Sequence, residues 1–107
     1  MTHTNVIEYA PFELADGVSQ EQLLTASDEI EKNFLSNYDG YVSRKLVRKD
    51  EKNWADIVVW RSAGDAQKAM QDVMNSEAFN SYFACMKMEE GVDPAVLHFD
   101  VIKEYSV

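Results

Sequence analysis

The sequence contains few cysteines, histidines and glycines, and this scarcity limits the chemistry that it can support. Of its 107 residues only Cys85 is a cysteine, so no internal disulfide can form, which fits a reducing compartment. The two histidines, His3 and His98, lie at opposite ends of the chain and provide no local metal-ligand spacing. The four glycines are isolated from one another, so no glycine-rich loop could cradle a phosphate. We therefore expect no metal ion and no nucleotide cofactor.

Basic residues and long apolar runs are also scarce. Ten Lys and Arg are set against nineteen Asp and Glu, and the formal net charge is -9 at pH 7. Such a surface repels phosphate backbones and anionic lipids, which argues against nucleic acid and membrane partners. No apolar run approaches the roughly 20 residues that a membrane span needs, and the first residues lack the pattern of a signal peptide. We expect a soluble cytoplasmic protein.

The composition that remains is that of an ordinary globular domain. Apolar residues make up 46% of the chain and charged residues 27%. A chain of this length has enough residues for one hydrophobic core and too few for two. We expect residues 1–107 to form a single domain.

The first half of the sequence predicts a strand, a helix and a second strand. Residues 6–14 mix β-branched, aromatic and acidic residues, as in a strand that ends or lies at a sheet edge at Pro11, which has no amide proton. Ser19 and the glutamine three residues later form a capping box, which predicts a helix. This helix should end at Asp39 and Gly40, where a glycine can adopt the left-handed conformation. Residues 41–48 then alternate as a half-buried strand.

The second half predicts a hairpin, two helical segments and a final strand. The elements are a loop at 50–53, a strand at 54–60, a helix capped by Ser62, a helical segment at 77–86 capped by Ser76, a loop at 87–94 and a strand at 96–105. The strand at 54–60 is apolar on both faces, with Ile57 and Val59 on one side and Val58 and Trp60 on the other. Such a strand needs cover on both sides.

The order β-α-β-β-α-β predicts a ferredoxin-like α+β fold, in which a four-stranded antiparallel sheet carries both helices on one face. Right-handed crossovers leave few alternative topologies for this order. In a chain this short the helices cover only one face of the sheet. Two sheets that pack face to face would cover the other, so we expect a homodimer.

Short motifs in the middle of the chain resemble the antibiotic biosynthesis monooxygenase-like family. They comprise Asp39-Gly40-Tyr41 after the first helix, Val58-Val59-Trp60 at the end of the third strand, and the runs at 62–66 and 76–79. The resemblance implies a dimeric α+β barrel and covers nearly the whole chain. The family includes cofactor-independent monooxygenases that act on aromatic polyketides or quinols, heme-degrading monooxygenases, and proteins of no known activity, so fold alone does not define the function.

The residues do not match the heme-degrading branch of this family. That branch has an asparagine on the first strand, a tryptophan at the end of the third strand and an iron-binding histidine in the second helical region. Trp60 matches the tryptophan, but Tyr9 and Ala10 occupy the first-strand region and Phe83 lies at or beside the histidine position. Unless His98 substitutes, the iron would lack its axial ligand. We therefore expect no heme and no other cofactor.

The resemblance places Trp60 against a cavity, where an indole could stack on a flat aromatic ligand and donate a hydrogen bond. Other aromatic side chains could line the same pocket between sheet and helices: Tyr9, Tyr41, Tyr82 and Phe83. The alternative for each of these residues is a place in the core or, for Trp60, in the dimer interface.

Two residues are candidates for the base that would deprotonate a phenol or hydroquinone. His98 is the only histidine inside a predicted element, and imidazole titrates near neutral pH. Its alternative is a structural place at the dimer interface, with Asp100 as a possible ion-pair partner. Asp56 shares a strand face with Trp60 and could approach an apolar pocket, or it could lie at a solvated strand end.

Two functions follow from these patterns. The first is a cofactor-independent monooxygenase acting on a small aromatic quinol or polyketide-like substrate, in which His98 or Asp56 is the base. The second is a noncatalytic dimeric barrel that binds a small molecule or is associated with stress. The second is motivated by the absence of any compact group of ionisable residues in the sequence.

Overall fold

The computed structural model describes residues 5–88 and 96–107. In these residues the strands and helices follow in the order β1 (Val6–Glu13), α1 (Gln20–Asn33), β2 (Tyr41–Arg48), β3 (Asn53–Trp60), α2 (Ala63–Asp72), α3 (Glu77–Phe83) and β4 (Leu97–Asp100). Short 3-10 helices at Leu35–Asn37 and Val73–Asn75 follow α1 and α2. No helix in the described ranges is both long enough and apolar enough to cross a membrane.

The four strands form one antiparallel sheet in the order β2-β3-β1-β4. The predicted α+β class and the four-stranded antiparallel sheet are therefore confirmed. The hydrophobic core combines Trp54, Val58 and Trp60 of β3 with apolar side chains from all three helices. We call the side of the sheet that bears these three β3 residues the inner face.

The predicted helix starts are also confirmed. Ser19 accepts a hydrogen bond from the amide of Gln22 and its own amide donates to the Gln22 side chain, which completes a capping box. Ser62 and Ser76 cap α2 and α3 through their hydroxyl oxygens. The helix ends are less regular, because α1 stops at Asn33 and a 3-10 turn replaces its predicted last turn.

Gly40 does not adopt the left-handed conformation that its position after the helix suggests. Among the described residues only Gly17 has a positive φ, at 81°. Gly40 is required for a different reason: a Cβ atom there would collide with the side chain of Asp65 in α2. Gly40, which directly precedes β2, packs closely against α2. This contact, and not helix capping, excludes a larger residue at this position.

Pro11 does not end β1, which continues to Glu13 beside β3. It lies instead where, among the described residues, β3 is the only strand paired with β1, because pairing with β4 stops at Tyr9. The carbonyl groups of Asn5 and Glu13 accept bonds on the β4 side of β1. Alternation of the backbone then places the missing N–H of Pro11 on that same side, where no strand bond is lost.

Strand β4 is much shorter than the predicted strand at 96–105. Only Leu97–Asp100 pairs with β1, and one further bond joins the amide of Val101 to the carbonyl of Asn5 over 2.8 Å. The side chains of Ile102 and Tyr105 beyond it are exposed. Helix α3 likewise ends at Phe83, before the predicted residue 86. Most of the predicted loop at 87–94 lies outside the described residues.

The face of the sheet opposite the helices is apolar and largely uncovered. Register and alternation place these side chains on it: Ile7, Tyr9, Ile57, Val59, Leu97 and Phe99. Leu97 is 51% exposed and Phe99 52% exposed. We call these six residues the outer sheet face. They show that the two-sided apolar pattern of β3 has only one covered side within the described chain.

Candidate functional site

A cavity of about 310 Å³ lies between the inner face of the sheet and the helices. Its apolar wall includes the rings of Phe79 and Phe83. Five polar side chains also line it: Glu8, Arg44 and Asp56 from β1, β2 and β3, Tyr82 from α3, and Lys87 from the segment after α3. An apolar pocket with a few convergent polar groups is the usual form of a small-molecule site. A larger open crevice of about 740 Å³ is lined mainly by solvent-exposed side chains such as Glu29 and Asp72.

Strand register explains why the charged residues meet at this cavity. Arg44 lies opposite Val58, Val58 opposite Glu8, and Glu8 opposite His98, so the four residues form one row across the sheet. Asp56 lies two residues before Val58 on the same inner face. Residues from four separate strands are brought together by alternation and pairing alone.

Asp56 is the most extensively paired acid in the cavity. Its Oδ2 accepts a 2.6 Å hydrogen bond from the hydroxyl of Tyr82, and its Oδ1 lies 3.8 Å from Nη1 of Arg44. The side chains of Arg44 and Asp56 are only 8% and 9% exposed. Arg44 is held in place by Ser27 and by an ion pair with Glu31. The cavity therefore contains a buried ion pair whose geometry is set by neighbouring side chains.

Burial raises the pKa of Asp56, while the Tyr82 hydrogen bond and the positive charge of Arg44 oppose this rise. The pKa of Tyr82 is also raised by burial and by the charge of Asp56, so the phenol keeps its proton and remains a donor. Burial likewise raises the pKa of Glu8, and His98 acts in the opposite direction. Perturbed acids that line one cavity are a common property of functional sites.

Several buried polar atoms of this region have no hydrogen-bond partner within the described part of the chain. They are two acceptors, Glu8 Oε1 and Asp56 Oδ1, and two donors, Arg44 Nη1 and Trp60 Nε1. Unpaired buried polar groups are costly, so native structures contain few of them. Three of the four belong to side chains that line the cavity, where a ligand could supply the missing bonds.

Three of the residues predicted from sequence line the cavity: Asp56, Tyr82 and Phe83. Trp60 does not. It is 2% exposed and packs against Tyr41 and Tyr38, with ring centroids 5.8 and 6.2 Å away. Tyr41 also lies outside the lining, and its hydroxyl donates a hydrogen bond to Glu31. These two aromatic residues belong to the packing around the core.

Tyr9 and His98 lie elsewhere. Tyr9 is on the outer sheet face, beside Ile57 and Leu97. It follows Glu8 in β1, and successive side chains of a strand point to opposite faces. The expectation that Tyr9 lines the pocket is corrected accordingly. His98 is on the inner side of β4 but outside the cavity lining, with Nε2 3.4 Å from Oε1 of Glu8.

Sequence reasoning missed Glu8 and Arg44, although a signal for both was present. Glu8 is an even number of residues away from the buried Val6 and Leu14, so alternation along the strand places all three on the same face. Arg44 is two residues before Leu46, which packs on the core, so the two side chains lie on the same face of β2. A charged residue at a core-facing strand position is unusual and points to a buried polar function.

Comparison with known proteins gives matches in structure only. No protein-family model matches the sequence, and no curated protein matches it either. A Bordetella bronchiseptica protein provisionally classed as an antibiotic biosynthesis monooxygenase is 14% identical, with a TM-score of 0.73, and the match covers 94% of this chain and 99% of that one. SnoaB, a cofactor-independent oxygenase from Streptomyces nogalater, is 10% identical, with a TM-score of 0.66 and coverage of 99% and 98%.

An enzyme of another class has the same architecture. The hydroxynitrile lyase of Passiflora edulis is 13% identical to this chain, with a TM-score of 0.68 and coverage of 98% of this chain and 100% of its own. An oxygenase and a lyase therefore share the fold, and identities this low establish the fold alone. With these structural neighbours, the chain has the antibiotic biosynthesis monooxygenase-like α+β fold.

Proposed function

We propose that the protein is a cofactor-independent monooxygenase that oxidises a small phenolic aromatic in the cavity. The observation that carries this proposal is the buried Asp56 carboxylate beside Arg44 and Tyr82 on the cavity wall. Likeness to SnoaB supports the reaction class. The 310 Å³ volume suits a small ligand, and the neighbouring rings of Phe79 and Phe83 provide apolar surface for its aromatic system.

In the proposed reaction Asp56 is the base. It removes a proton from a ring CH₂ group that neighbouring phenol and carbonyl groups make acidic, and Arg44 stabilises the anion that forms. The carbanion supplies the electrons that reduce dioxygen, and carbon and oxygen combine as a peroxide. Loss of the second proton with cleavage of the O–O bond leaves a carbonyl group and water. The sum, R₂CH₂ + O₂ → R₂C=O + H₂O, needs no external reductant.

We expect the variant Asp56→Asn to lower kcat for oxygen uptake by about 10²-fold or more, because an amide cannot accept the proton. The wild-type rate should fall on acidification through the pKa of Asp56, which burial raises. The measurement is oxygen consumption with a panel of hydroxylated aromatic ketones that carry an acidic ring CH₂. Asp28→Asn on the exposed side of α1 is the matched control. Full activity of Asp56→Asn would remove Asp56 as the base.

The second candidate function is a receptor that binds the same class of molecule without turnover. It is favoured by the fact that Asp56 and Arg44 are already held by Tyr82, Ser27 and Glu31, so they are rigid binding groups. The same panel separates the two functions. A receptor would bind one of the compounds, detected by calorimetry, while neither the wild type nor Asp56→Asn consumed oxygen.

We also propose that the chain, as one domain, forms a homodimer through the outer sheet face. Aligned sheets pack face to face about 10 Å apart, and a second copy would cover the exposed Leu97 and Phe99. We expect sedimentation at the mass of a dimer for the wild type and at the mass of a monomer for Phe99→Glu, which buries a charge in the interface. Met74→Glu, at an exposed position after α2, should leave the dimer intact. A monomeric wild type would contradict the proposal.

A further inference from the structure

We propose that Glu8 is the proton donor of the cavity, the acid that complements Asp56 as base. This inference rests on the proposed function and assigns a second catalytic group to the same site. The cavity holds one guanidinium group and two carboxyl groups, and the two carboxyl groups have different surroundings. Pairs of acids whose environments differ commonly divide the roles of acid and base between them.

The geometry distinguishes the two carboxyl groups. Asp56 has both a strong hydrogen bond from Tyr82 and the charge of Arg44 to stabilise its anion. Glu8, whose side chain is 13% exposed, has no hydrogen-bond partner for Oε1 within the described residues, and Nε2 of His98 is 3.4 Å from that atom. Asp56 is therefore the group that is better suited to remain ionised, and Glu8 the group that is better suited to hold a proton.

The charged and titratable groups around Glu8 agree with this assignment. On β3, Asp56 faces the same cavity and its charge raises the pKa of Glu8, as burial does. Arg44 on β2 is directed to Asp56 and Glu31. Lys87 also lines the cavity, but its ammonium group lies near Glu13. His98 on β4 and the indole of Trp60 on β3 are the remaining neighbours, and both act to lower the pKa of Glu8 against the effect of burial.

With Glu8 as donor, the proton balance of the reaction closes within the cavity. Asp56 takes the first C–H proton, and dioxygen adds to the carbanion as a peroxide anion. Glu8 protonates this anion to the hydroperoxide, and its carboxylate then takes the second C–H proton as the carbonyl forms. The O–O bond breaks, and the departing hydroxide takes the proton from Asp56 to leave as water. Both carboxyl groups return to their starting states.

The test uses Glu8→Gln, which keeps the size of the side chain but cannot transfer a proton. We expect kcat for oxygen uptake to fall by about 10²-fold with little change in KM, because the substrate contacts remain. Without the donor the C–O bond of the peroxide anion should break to give superoxide and a substrate radical. Two superoxide ions then take up the two protons removed from the substrate to give hydrogen peroxide and oxygen while the two radicals couple, so hydrogen peroxide per oxygen consumed should rise. Glu8→Asp should restore part of the rate. Glu21→Gln, at an exposed site in α1, is the matched control.

A second readout needs no substrate. The carbonyl stretch of a protonated carboxyl group should appear in the infrared spectrum of the wild type at pH 7 and disappear in Glu8→Gln. If that band is absent from the wild type, or Glu8→Gln keeps full turnover without extra peroxide, the proposal is overturned. If the band is present but no aromatic of the panel is oxidised, the proposed function fails, and the donor role fails with it.

Discussion

Replacing Arg44 with methionine is expected to destabilise the folded protein by about 3–5 kcal/mol, the usual cost of removing one partner from a buried ion pair. Arg44 is 8% exposed and is the cation that faces Asp56 over 3.8 Å. Without it the Asp56 carboxylate stays buried, with the Tyr82 hydroxyl as its hydrogen-bond donor. The free energy of unfolding, measured by urea denaturation, gives the value directly.

This loss of stability should depend on pH. Burial raises the folded-state pKa of Asp56 above its ordinary value, so its contribution favours folding in acid and declines as pH rises through that raised pKa. Because Arg44 opposes the rise, its removal raises the folded-state pKa further. We therefore expect a small difference between Arg44→Met and the wild type in acid and a larger one as the pH increases.

Arg48→Met is the matched control, because it removes an arginine from the same strand at an exposed position. Arg48 donates a hydrogen bond to Gln20 and lies over the ring of Trp54. Exposed contacts of this kind contribute about 1 kcal/mol or less. Two results would contradict a role for the buried ion pair. One is an equal loss in the free energy of unfolding for the two substitutions, and the other is a loss for Arg44→Met that does not change with pH.

The second large effect is expected for Trp60→Ala, which should cost about 3–5 kcal/mol, as large-to-small core substitutions do. Trp60 is 2% exposed and is among the largest fully buried side chains of the described residues. Its removal leaves a cavity beside Tyr38 and Tyr41 that these rings cannot fill without leaving their edge and tilted contacts. The measurement is again the free energy of unfolding.

Met74→Ala provides the comparison for Trp60→Ala. Met74 is 72% exposed, and a surface substitution of this kind usually changes stability by no more than about 0.5 kcal/mol. Trp60→Phe is a second comparison, because it keeps an aromatic ring at this position. It removes only part of the side chain, including the indole N–H, which has no hydrogen-bond partner in the described structure. If Trp60→Ala proved as stable as Met74→Ala, Trp60 would not be a central core residue.

Periodicity and capping predicted most of the fold. The serine caps define the starts of the helices, and the alternation of β3 correctly separates Trp54, Val58 and Trp60 from Ile57 and Val59. The ends of elements were harder to predict, because they depend on contacts distant in sequence. Gly40 illustrates this point, since its small size is required by Asp65, which is 25 residues away in the sequence.

The site was predicted less completely than the fold. Asp56, Tyr82 and Phe83 line the cavity, whereas Trp60, which was assigned to it from the family resemblance, and Tyr9 and Tyr41, which were assigned as aromatic residues at strand positions, do not. Strand register decided the actual lining, because it brings Arg44 and Glu8 into one row on either side of Val58. Alternation within a strand predicts the face on which Glu8 and Arg44 lie, but the pairing of β1 with β3 joins segments distant in the sequence, so the pattern of one strand does not give the row by itself.

Pro11 has a consequence for access to the cavity. It lines the cavity at the stretch of β1 between the last residue paired with β4, Tyr9, and the bond from Lys87 to Glu13. A proline at this position offers no backbone N–H with which a neighbouring strand could pair. A small molecule that enters or leaves beside Pro11 therefore breaks no hydrogen bond donated by the backbone of that residue.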